Sequence, residues 1–485
     1  MPGNGLQHVV VLGAGMAGLA AAEALLGAAD RPKVTVVEAA GRVGGVLATA
    51  CHDGWLVERS ADNFLAARPE AVALAERLGL GDELIGVDAA VRRALVWHAG
   101  RAVPVPTGFR LLAPGRITGI LSTRLLSPAG RIRVLLERFV PPRSASGSAA
   151  EDDESLESFV VRRLGREAFE RLVQPLAAGI WTADPARLSM AAACPEFLAM
   201  EREHGSLWAG ERHRVRRGAD GTTAGARYGQ FLTLASGMET LPRRLAERLR
   251  AGGVNFLTAN ATSLERAPAG GWQIGLASSR AGVRQAVAAD AVVIAVPAPA
   301  ASRMLSSFDR ELAAELAAIS YAGSAIVSLG FERGDVPHPL DAAGMVVPRV
   351  AGRGIIAASF SSSKFPGRAP AGHVLIRVFA GGALDPEAMQ LDDAALEARA
   401  REEIGALLGV RGRPLLMQID RWPDAMPQYH VGHLDRVRRI EQGAASHPAL
   451  ALAGAAYRGV GIPQVIASGQ AAAQRILDAL LAMRS

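Results

Sequence analysis

The sequence predicts an α/β protein: a parallel sheet with helices on both faces, interrupted by insertions that build an α+β region around an antiparallel sheet. Three observations predict it. Residues 8–12 (HVVVL), 34–38 (VTVVE), 291–296 (AVVIAV) and 450–454 are short apolar runs without polar alternation, the pattern of strands buried on both faces. The first two runs enclose a Gly-rich turn and an Ala/Leu-rich helix reaching about Ala28, a βαβ unit. Residues 324–331, 344–348, 354–360 and 373–379 alternate instead, as strands of an antiparallel sheet do.

Taken in order, the remaining elements follow from local chemistry. Residues 69–80 (PEAVALAERLGL) predict a helix with Pro in its first turn and a Gly stop. From Arg101 to Arg143 the character changes: eight Arg accompany a single acid, Glu137, and between them lie Leu111, Leu112, Ile117, Ile120, Leu121, Leu125, Leu126, Leu135 and Leu136. Residues 143–155 are small, polar and acidic and read as a link. Residues 156–175 read as helix, 208–230 as a basic loop, and 237–250 as helix. Strands are expected at 254–258 and 272–276, and helices at 391–408 and 463–483. Strand-and-helix alternation thus occurs at both ends and in the middle, with the insertions between.

Composition narrows the class. With 485 residues the chain has room for two or three domains and a large core. Charge is moderate, and almost all of the positive charge is Arg, because Lys33 and Lys364 are the only lysines. No basic block interleaves with aromatics, which excludes a nucleic-acid footprint. Cys51 and Cys194 have no metal-ligand spacing and are too few for a disulfide framework, so a reducing compartment is expected. No secretory leader is read in Met1 to Gly5, and no apolar run reaches the roughly 18 residues that span a bilayer. The expectation is a cytoplasmic protein, in solution or lying on a membrane.

Three motifs carry the chemistry. The first is Gly13-Ala14-Gly15-Met16-Ala17-Gly18, which follows a strand and opens a helix, the context a dinucleotide fingerprint requires. Gly13 permits the tight turn, Gly15 lets a pyrophosphate approach, and Gly18 lets helix and strand pack closely; the helix N-terminus faces the phosphates. Glu38, twenty residues after Gly18, can accept both ribose hydroxyls and would repel a 2′-phosphate. The fold is therefore Rossmann-type. The second motif, Glu38-Ala39-Ala40-Gly41-Arg42-Val43-Gly44-Gly45-Val46, resembles the extended dinucleotide motif of amine-oxidase-like flavoproteins. A surface turn would explain its glycines but not its Arg. The resemblance implies Arg42 on a phosphate, the paired Gly44 and Gly45 bringing backbone close to the flavin, and FAD rather than NAD. The third is the tail Ala453-Gly454-Ala455-Ala456-Tyr457-Arg458-Gly459-Val460-Gly461-Ile462-Pro463 before a helix. Amides of Val460, Gly461 and Ile462 at that helix start can hold a flavin carbonyl.

That tail resembles the flavin signature of the oxygen-dependent protoporphyrinogen oxidase family, with its relative coproporphyrinogen III oxidase. Gln174 to Ile180, Asp184-Pro185-Ala186-Arg187-Leu188-Ser189, Pro195 to Leu207, and Trp422 to His433 continue the resemblance, which spans nearly the whole chain. Ser60-Ala61-Asp62-Asn63 stands where the family shows Gly-Pro-Asp-Ser, Trp181-Thr182-Ala183 replaces aromatic-Ala-Gly, and Ala261 stands where a Val offers its backbone to adenine. Carried over, the flavin site comprises Gly13, Ala14, Gly15, Met16, Ala17, Gly18, Glu38, Ala39, Arg42, Gly45, Val46, Ser60, Ala61, Asp62, Asn63, Ala261, Trp422, Ala455, Val460, Gly461 and Ile462. The resemblance implies an FAD-binding domain at 1–92, 220–297 and 425–485. It implies a substrate domain at 93–106, 190–219 and 298–424, and a helical region at 107–189 that contacts a membrane or is an ordinary subdomain with solvated Arg.

The implied reaction is a six-electron oxidation of protoporphyrinogen IX to protoporphyrin IX in heme biosynthesis, in three flavin turnovers, with O2 reduced to H2O2. The flavin carries the redox chemistry, so no catalytic side chain and no metal is expected. Arg93 is the candidate for a substrate propionate, and Val346 with Phe379 for an apolar clamp on the macrocycle; each also reads as an ordinary surface or sheet residue. Coproporphyrinogen III stays open as the substrate, with Arg349, Arg353, Arg368 and Arg377 as further cation candidates. An amine oxidase is disfavoured because Lys364 sits in a polar SSSKFPGR stretch, and Ala456 in place of a Cys implies noncovalent FAD. A carotenoid desaturase and a non-catalytic flavin-fold binding protein are the remaining alternatives. Partners compatible with the reading are the porphyrinogen, O2, a membrane surface, a ferrochelatase receiving the product, and a second copy of the chain.

Overall fold

The computed structural model describes residues 7–143, 153–218, 231–268, 270–277 and 284–483. Residues 144–152 of the polar link and 219–230 of the basic segment lie outside them. The parallel sheet has five strands in the order Asn255–Thr258, Lys33–Glu38, His8–Leu12, Ala291–Ile294, Leu450–Leu452. Every pairing in it is parallel. Its central strand is buried on both faces: Val9 and Val11 point into one core with the first helix, Met16–Leu26, and Val10 and Leu12 into another with Trp272 and Leu305. The strand order reverses around His8–Leu12, and the crevice at such a reversal is where a dinucleotide binds.

Helix Met16–Leu26 is apolar apart from Glu23, and the last helix, Ile462–Ala482, packs along it. The two approach so closely that a Cβ on Gly469 would lie 2.1 Å from the Ala17 carbonyl oxygen. The glycine spacing therefore serves helix–helix packing as well as the ligand turn.

A seven-stranded sheet forms the second layer, in the order Leu416–Pro427, Tyr321–Glu332, His373–Gly381, Ala357–Phe360, Gly344–Val346, Ala94–His98, Arg101–Pro104. It is mixed rather than purely antiparallel, because Gly344–Val346 runs parallel to Ala94–His98. These two strands come from distant parts of the chain and need no hairpin between them. One face, with Leu95, Met345, Ala358, Ile376, Val378 and Leu329, packs on helix Asp393–Leu408. The other face looks toward the parallel sheet and a helical layer.

Several elements differ from expectation. Leu207–Arg216 is a helix, not a loop: Ser206 caps it by accepting the Ala209 N–H, and Trp208 and Glu211 are buried. The 156–175 stretch is broken at Gly165, whose φ is +92°. Helices Ala298–Leu305 and Arg310–Ala317 pack in the core of Val10 and Leu12, on the nucleotide fold. Strand Leu416–Pro427 runs across the expected boundary at 424/425. Met190, Phe197 and Trp208 share a core with Phe109, Leu125 and Phe159, so 190–216 joins the helical layer.

Glu137, the lone acid of the Arg-rich stretch, is fully buried. It receives the Arg163 guanidinium at 2.6 Å and the amides of Leu207 and Trp208. Arg110 is buried too, 3.1 Å from Glu211. Among the described residues no helix is long and apolar enough to cross a membrane.

Candidate flavin site

The turn after the first strand is held open by its glycines. Gly13 has φ +101°, and a Cβ there would sit 2.7 Å from the Ala295 carbonyl oxygen. A Cβ on Gly18 would lie 1.9 Å from the Gly13 carbonyl oxygen. Around Gly15 a Cβ would meet nothing within 4 Å, so the turn lines open space there. Gly15 is also the N-cap of helix Met16–Leu26, with no capping side chain and no acid in the first turn. Amides at such an end suit an anion.

The second motif lies directly on the first. Gly44 donates its N–H to the Ala14 carbonyl at 2.8 Å, and Gly15 and Gly44 form a parallel bridge. Gly45, at φ +60°, passes so close that its Cβ would be 3.3 Å from the Gly15 Cα. Glu38 closes the second strand, and its carboxylate accepts the amides of Ala14 at 2.7 Å and Ala40 at 2.8 Å. Two carboxylate oxygens retain acceptor capacity for ribose hydroxyls. Arg42 is folded onto the Leu47 carbonyl at 3.0 Å and the Gly45 carbonyl, so it braces its own loop. Ala39 is exposed on the same turn. Ala261, half-buried, follows Ala259, whose N–H donates to the Glu38 carbonyl at 2.9 Å.

From there the site reaches the seven-stranded sheet. Ser60 donates its hydroxyl to the Val46 carbonyl, and the Ser60 carbonyl accepts from Arg377. Trp422 donates its indole N–H to the Arg59 carbonyl at 2.7 Å. Ala61 is exposed, Asn63 donates to Asp62, and Asp62 is 2.8 Å from Lys364 and 3.4 Å from Arg377. Burial pushes the Asp62 carboxyl up, but Lys364 and Arg377 outweigh it and leave it ionised down to about 2. Lys364 is thus not in a polar turn. It ends the short helix Ser361–Lys364, is buried, and is committed to Asp62. Arg368 is buried nearby, on the Ala235 and Leu234 carbonyls and Thr233.

Strand register explains which side chains share the sheet face that carries Val346 and Phe379. Val346 opposes Ala357, and Ala357 opposes Phe379. The small Ala357 stands between Val346 and Phe379, which are two strand spacings or about 10 Å apart. Two residues along, the same face carries Ser359, Arg377 and Ser328. The hydroxyls of Ser359 and Ser328 and the Arg377 Nε are buried without a partner among the described residues. Arg377 is one of the four arginines, with Arg349, Arg353 and Arg368, that sequence reasoning left unplaced; its separation of two from Phe379 on an alternating strand was the available signal. Gly179 approaches from the helical layer, where a Cβ would be 3.7 Å from Val346.

Arg93 lies at the start of strand Ala94–His98, exposed and ion-paired with Asp341. Arg349 lies three residues past Val346, exposed, with its backbone N–H on the Gln174 side chain at 2.9 Å. Arg353 faces away, 2.7 Å from Glu403 of helix Asp393–Leu408.

The tail completes the crevice. Gly454 has φ +133° with open space where a Cβ would be. Ala455 and Val460 are half-buried, and Gly461 is the N-cap of the last helix, again without a side-chain cap. Two uncapped helix ends and an open glycine cradle, with an acid at the ribose position, fit FAD. No group of acids, His and Cys arranged to hold a metal occurs among the described residues.

Comparison with known proteins agrees with this geometry. Residues 16–477 match the family described as flavin containing amine oxidoreductase. The chain is 33% identical over 488 residues to “Coproporphyrinogen III oxidase” of Bacillus subtilis (strain 168), covering 98% of each. It is 29% identical to “Protoporphyrinogen oxidase, chloroplastic” of Nicotiana tabacum, over 88% of this chain and 77% of that one. The crystal structure of “Putative protoporphyrinogen oxidase” from Exiguobacterium sp. 255-15 superposes with a TM-score of 0.83 at 29% identity, covering 98% and 99% of the two chains. The match extends over both sheets and the crevice between them, and the chain belongs to the flavin containing amine oxidoreductase family, an oxidoreductase with FAD as its cofactor.

Proposed function

We propose that this protein is an oxygen-consuming porphyrinogen oxidase that converts coproporphyrinogen III to coproporphyrin III, with noncovalent FAD. The observation that carries this reading is the end-to-end likeness to the Bacillus subtilis coproporphyrinogen III oxidase, at 98% of both chains. Protoporphyrinogen IX is the second reading, favoured by the tobacco relative. In either case bound FAD would accept two electrons at a time, with three O2 reduced to three H2O2 per porphyrin formed.

The chain's own residues supply a place for the macrocycle. Val346, Ala357 and Phe379 form an apolar stretch of one sheet face, two residues along from Arg377, which holds the 60–63 segment. Arg93 and Arg349 stand at opposite ends of the strands that carry Val96 and Val346, positions suited to carboxylates on opposite sides of a large ring. Beneath the 60–63 segment, Lys364, Arg368 and Arg377 face Asp62 and Glu58, three cations to two acids. That surplus favours negative charge, as reduced flavin or propionate brings it.

The 107–140 stretch is read as a membrane contact. Ile117, Leu121, Ile132, Leu136 and Phe139 are all exposed, Phe139 by 68%. Their spacings of four, four and three are those of helix faces, and Arg116, Arg124 and Arg138 are exposed among them. An apolar face with Arg around it suits peripheral docking on an anionic bilayer, at the cytoplasmic side in this reading.

The test is oxygen uptake and porphyrin fluorescence by the purified FAD-loaded protein. Coproporphyrinogen III, protoporphyrinogen IX and a panel of primary amines would be offered separately. Fluorescent product with one H2O2 per two electrons, fastest from coproporphyrinogen III, is expected. Arg93→Ala and Arg349→Ala should raise KM more for the four-propionate substrate than for the two-propionate one. Turnover of amines without porphyrinogen oxidation overturns the proposal.

A further inference from the structure

The loop from Ala453 to Gly461 must present the amides of Val460, Gly461 and Ile462 in one direction. Yet it contains Gly454 at φ +133° and Gly459 at φ +145°. Such a loop samples many conformations unless its main chain is tied from outside. Two side chains from the Gln428–His433 turn tie it. The Tyr429 hydroxyl accepts the Gly459 N–H at 2.9 Å and donates to the Ala455 carbonyl. His433 Nε2 lies 2.8 Å from the Tyr457 carbonyl, so it carries the proton and donates. The two rings stack at 4.0 Å with 14° between their planes. Both are buried, at 2% and 4% exposure.

The turn is itself anchored to the helical layer. Ser189 donates its N–H to the Tyr429 carbonyl at 2.8 Å, and Gly432 donates to Asp153 at 2.9 Å. Asp153 in turn accepts the Ser189 hydroxyl. Burial keeps the Tyr429 phenol protonated by raising its pKa, and burial lowers His433 to about 4, so at neutral pH the stack is uncharged. Three main-chain groups of the loop are therefore satisfied by two fixed rings. Among the described residues no acceptor meets the amides of Val460, Gly461 and Ile462.

We propose that Tyr429 and His433 are positioning residues for FAD: they aim the Val460–Ile462 amides at the electron-rich edge of the flavin and so set both its affinity and its reduction potential. They touch the loop, and act on the cofactor through it. Donors fixed in place before reduction stabilise the charge that reduction adds, and donors free to turn away do so less.

The test uses the full chain with Tyr429→Phe, His433→Leu and His433→Gln, each titrated with FAD as apoprotein and then measured by spectroelectrochemistry. Removing the hydroxyl leaves the Ala455 and Gly459 groups unsatisfied, and FAD should bind about tenfold more weakly, with a more negative potential. His433→Leu should behave alike, and His433→Gln, which restores an N–H donor, should recover part of both. Lower melting temperature with unchanged affinity and potential would mean an ordinary packing role and overturns the proposal. Hydrogen exchange of the unaltered protein gives an answer that needs no variant. The Gly459 amide, held by the Tyr429 hydroxyl, and the Gly454 amide, held by the Ser468 hydroxyl, should be protected in the apoprotein as they are with FAD; protection of these two only after loading would mean that FAD orders the loop, and also overturns it. Failure of the unaltered chain to take up FAD would remove the site itself, and the first titration reads that separately.

Discussion

Gly18 illustrates how little freedom the site leaves a single residue. A methyl group there would fall 1.9 Å from the Gly13 carbonyl oxygen. Gly18→Ala must therefore push the helix off the strand and open the turn. Purified protein should be colourless at 450 nm, and urea unfolding should show a loss of about 1–3 kcal/mol, as overpacked positions do. Gly15→Ala meets no atom and should fold normally while losing FAD affinity. His433 makes a different demand, on pH. Burial lowers its folded pKa to about 4, below the ordinary 6.5. The unfolded chain then binds a proton that the folded protein refuses. Stability from this group is present above pH 6.5 and is lost as pH falls toward 4, by roughly 3 kcal/mol. Urea unfolding at pH 7 and pH 5 should show that slope in the unaltered protein and a shallower one in His433→Gln.

Among elements, the Arg-rich segment shows where sequence reading stops. Its apolar residues split once folded: Leu112, Ile120, Leu125 and Leu126 enter the core, and Ile117, Leu121 and Leu136 face outward with Ile132 and Phe139. Composition is the same on both sides of that split, so only packing could sort them. Nor could the chain order reveal that Glu137 receives Arg163 and that Arg110 finds Glu211, partners 26 and 101 residues away. The outward face carries a prediction. Ile132→Glu with Phe139→Glu should abolish sedimentation with anionic liposomes and leave the turnover in detergent unchanged, whereas neutral liposomes should bind the unaltered protein weakly. Arg-lined apolar faces depend on both terms.

For the whole molecule, the proposed FAD site is built from every layer: Gly13–Gly18 belong to the parallel sheet's turn, Ser60 is held by Arg377 of the seven-stranded sheet, and the tail loop is tied by Tyr429, whose carbonyl accepts from Ser189 of the helical layer. A ligand spanning these layers should stabilise them together. Adding free FAD at about 100 times its Kd should stabilise the native state by roughly 2.7 kcal/mol. One shifted melting transition in scanning calorimetry is expected, and two transitions of which only one responds would contradict it.

The first βαβ unit, the glycine turn, Glu38 and the helix starts at Met16 and Ile462 were legible in the sequence. Each depends on backbone conformation and spacing within some thirty residues, and local residue choice determines those. The chamber was not legible. Lys364 looked like part of a polar turn and is buried on Asp62, 302 residues away in sequence. Arg377 and Phe379 could be placed on one face by alternation, yet what that face meets depends on strands from 94 to 427 pairing in one sheet. Tyr429 and His433 had a place in a motif but no task until the tail loop folded against them. Sequence determined the cofactor fold because backbone rules act locally. Tertiary structure decided the charge pairs, the neighbours of Val346 and Phe379 and which apolar side chains of 107–140 stay exposed, because burial and pairing arise only when distant segments share one core.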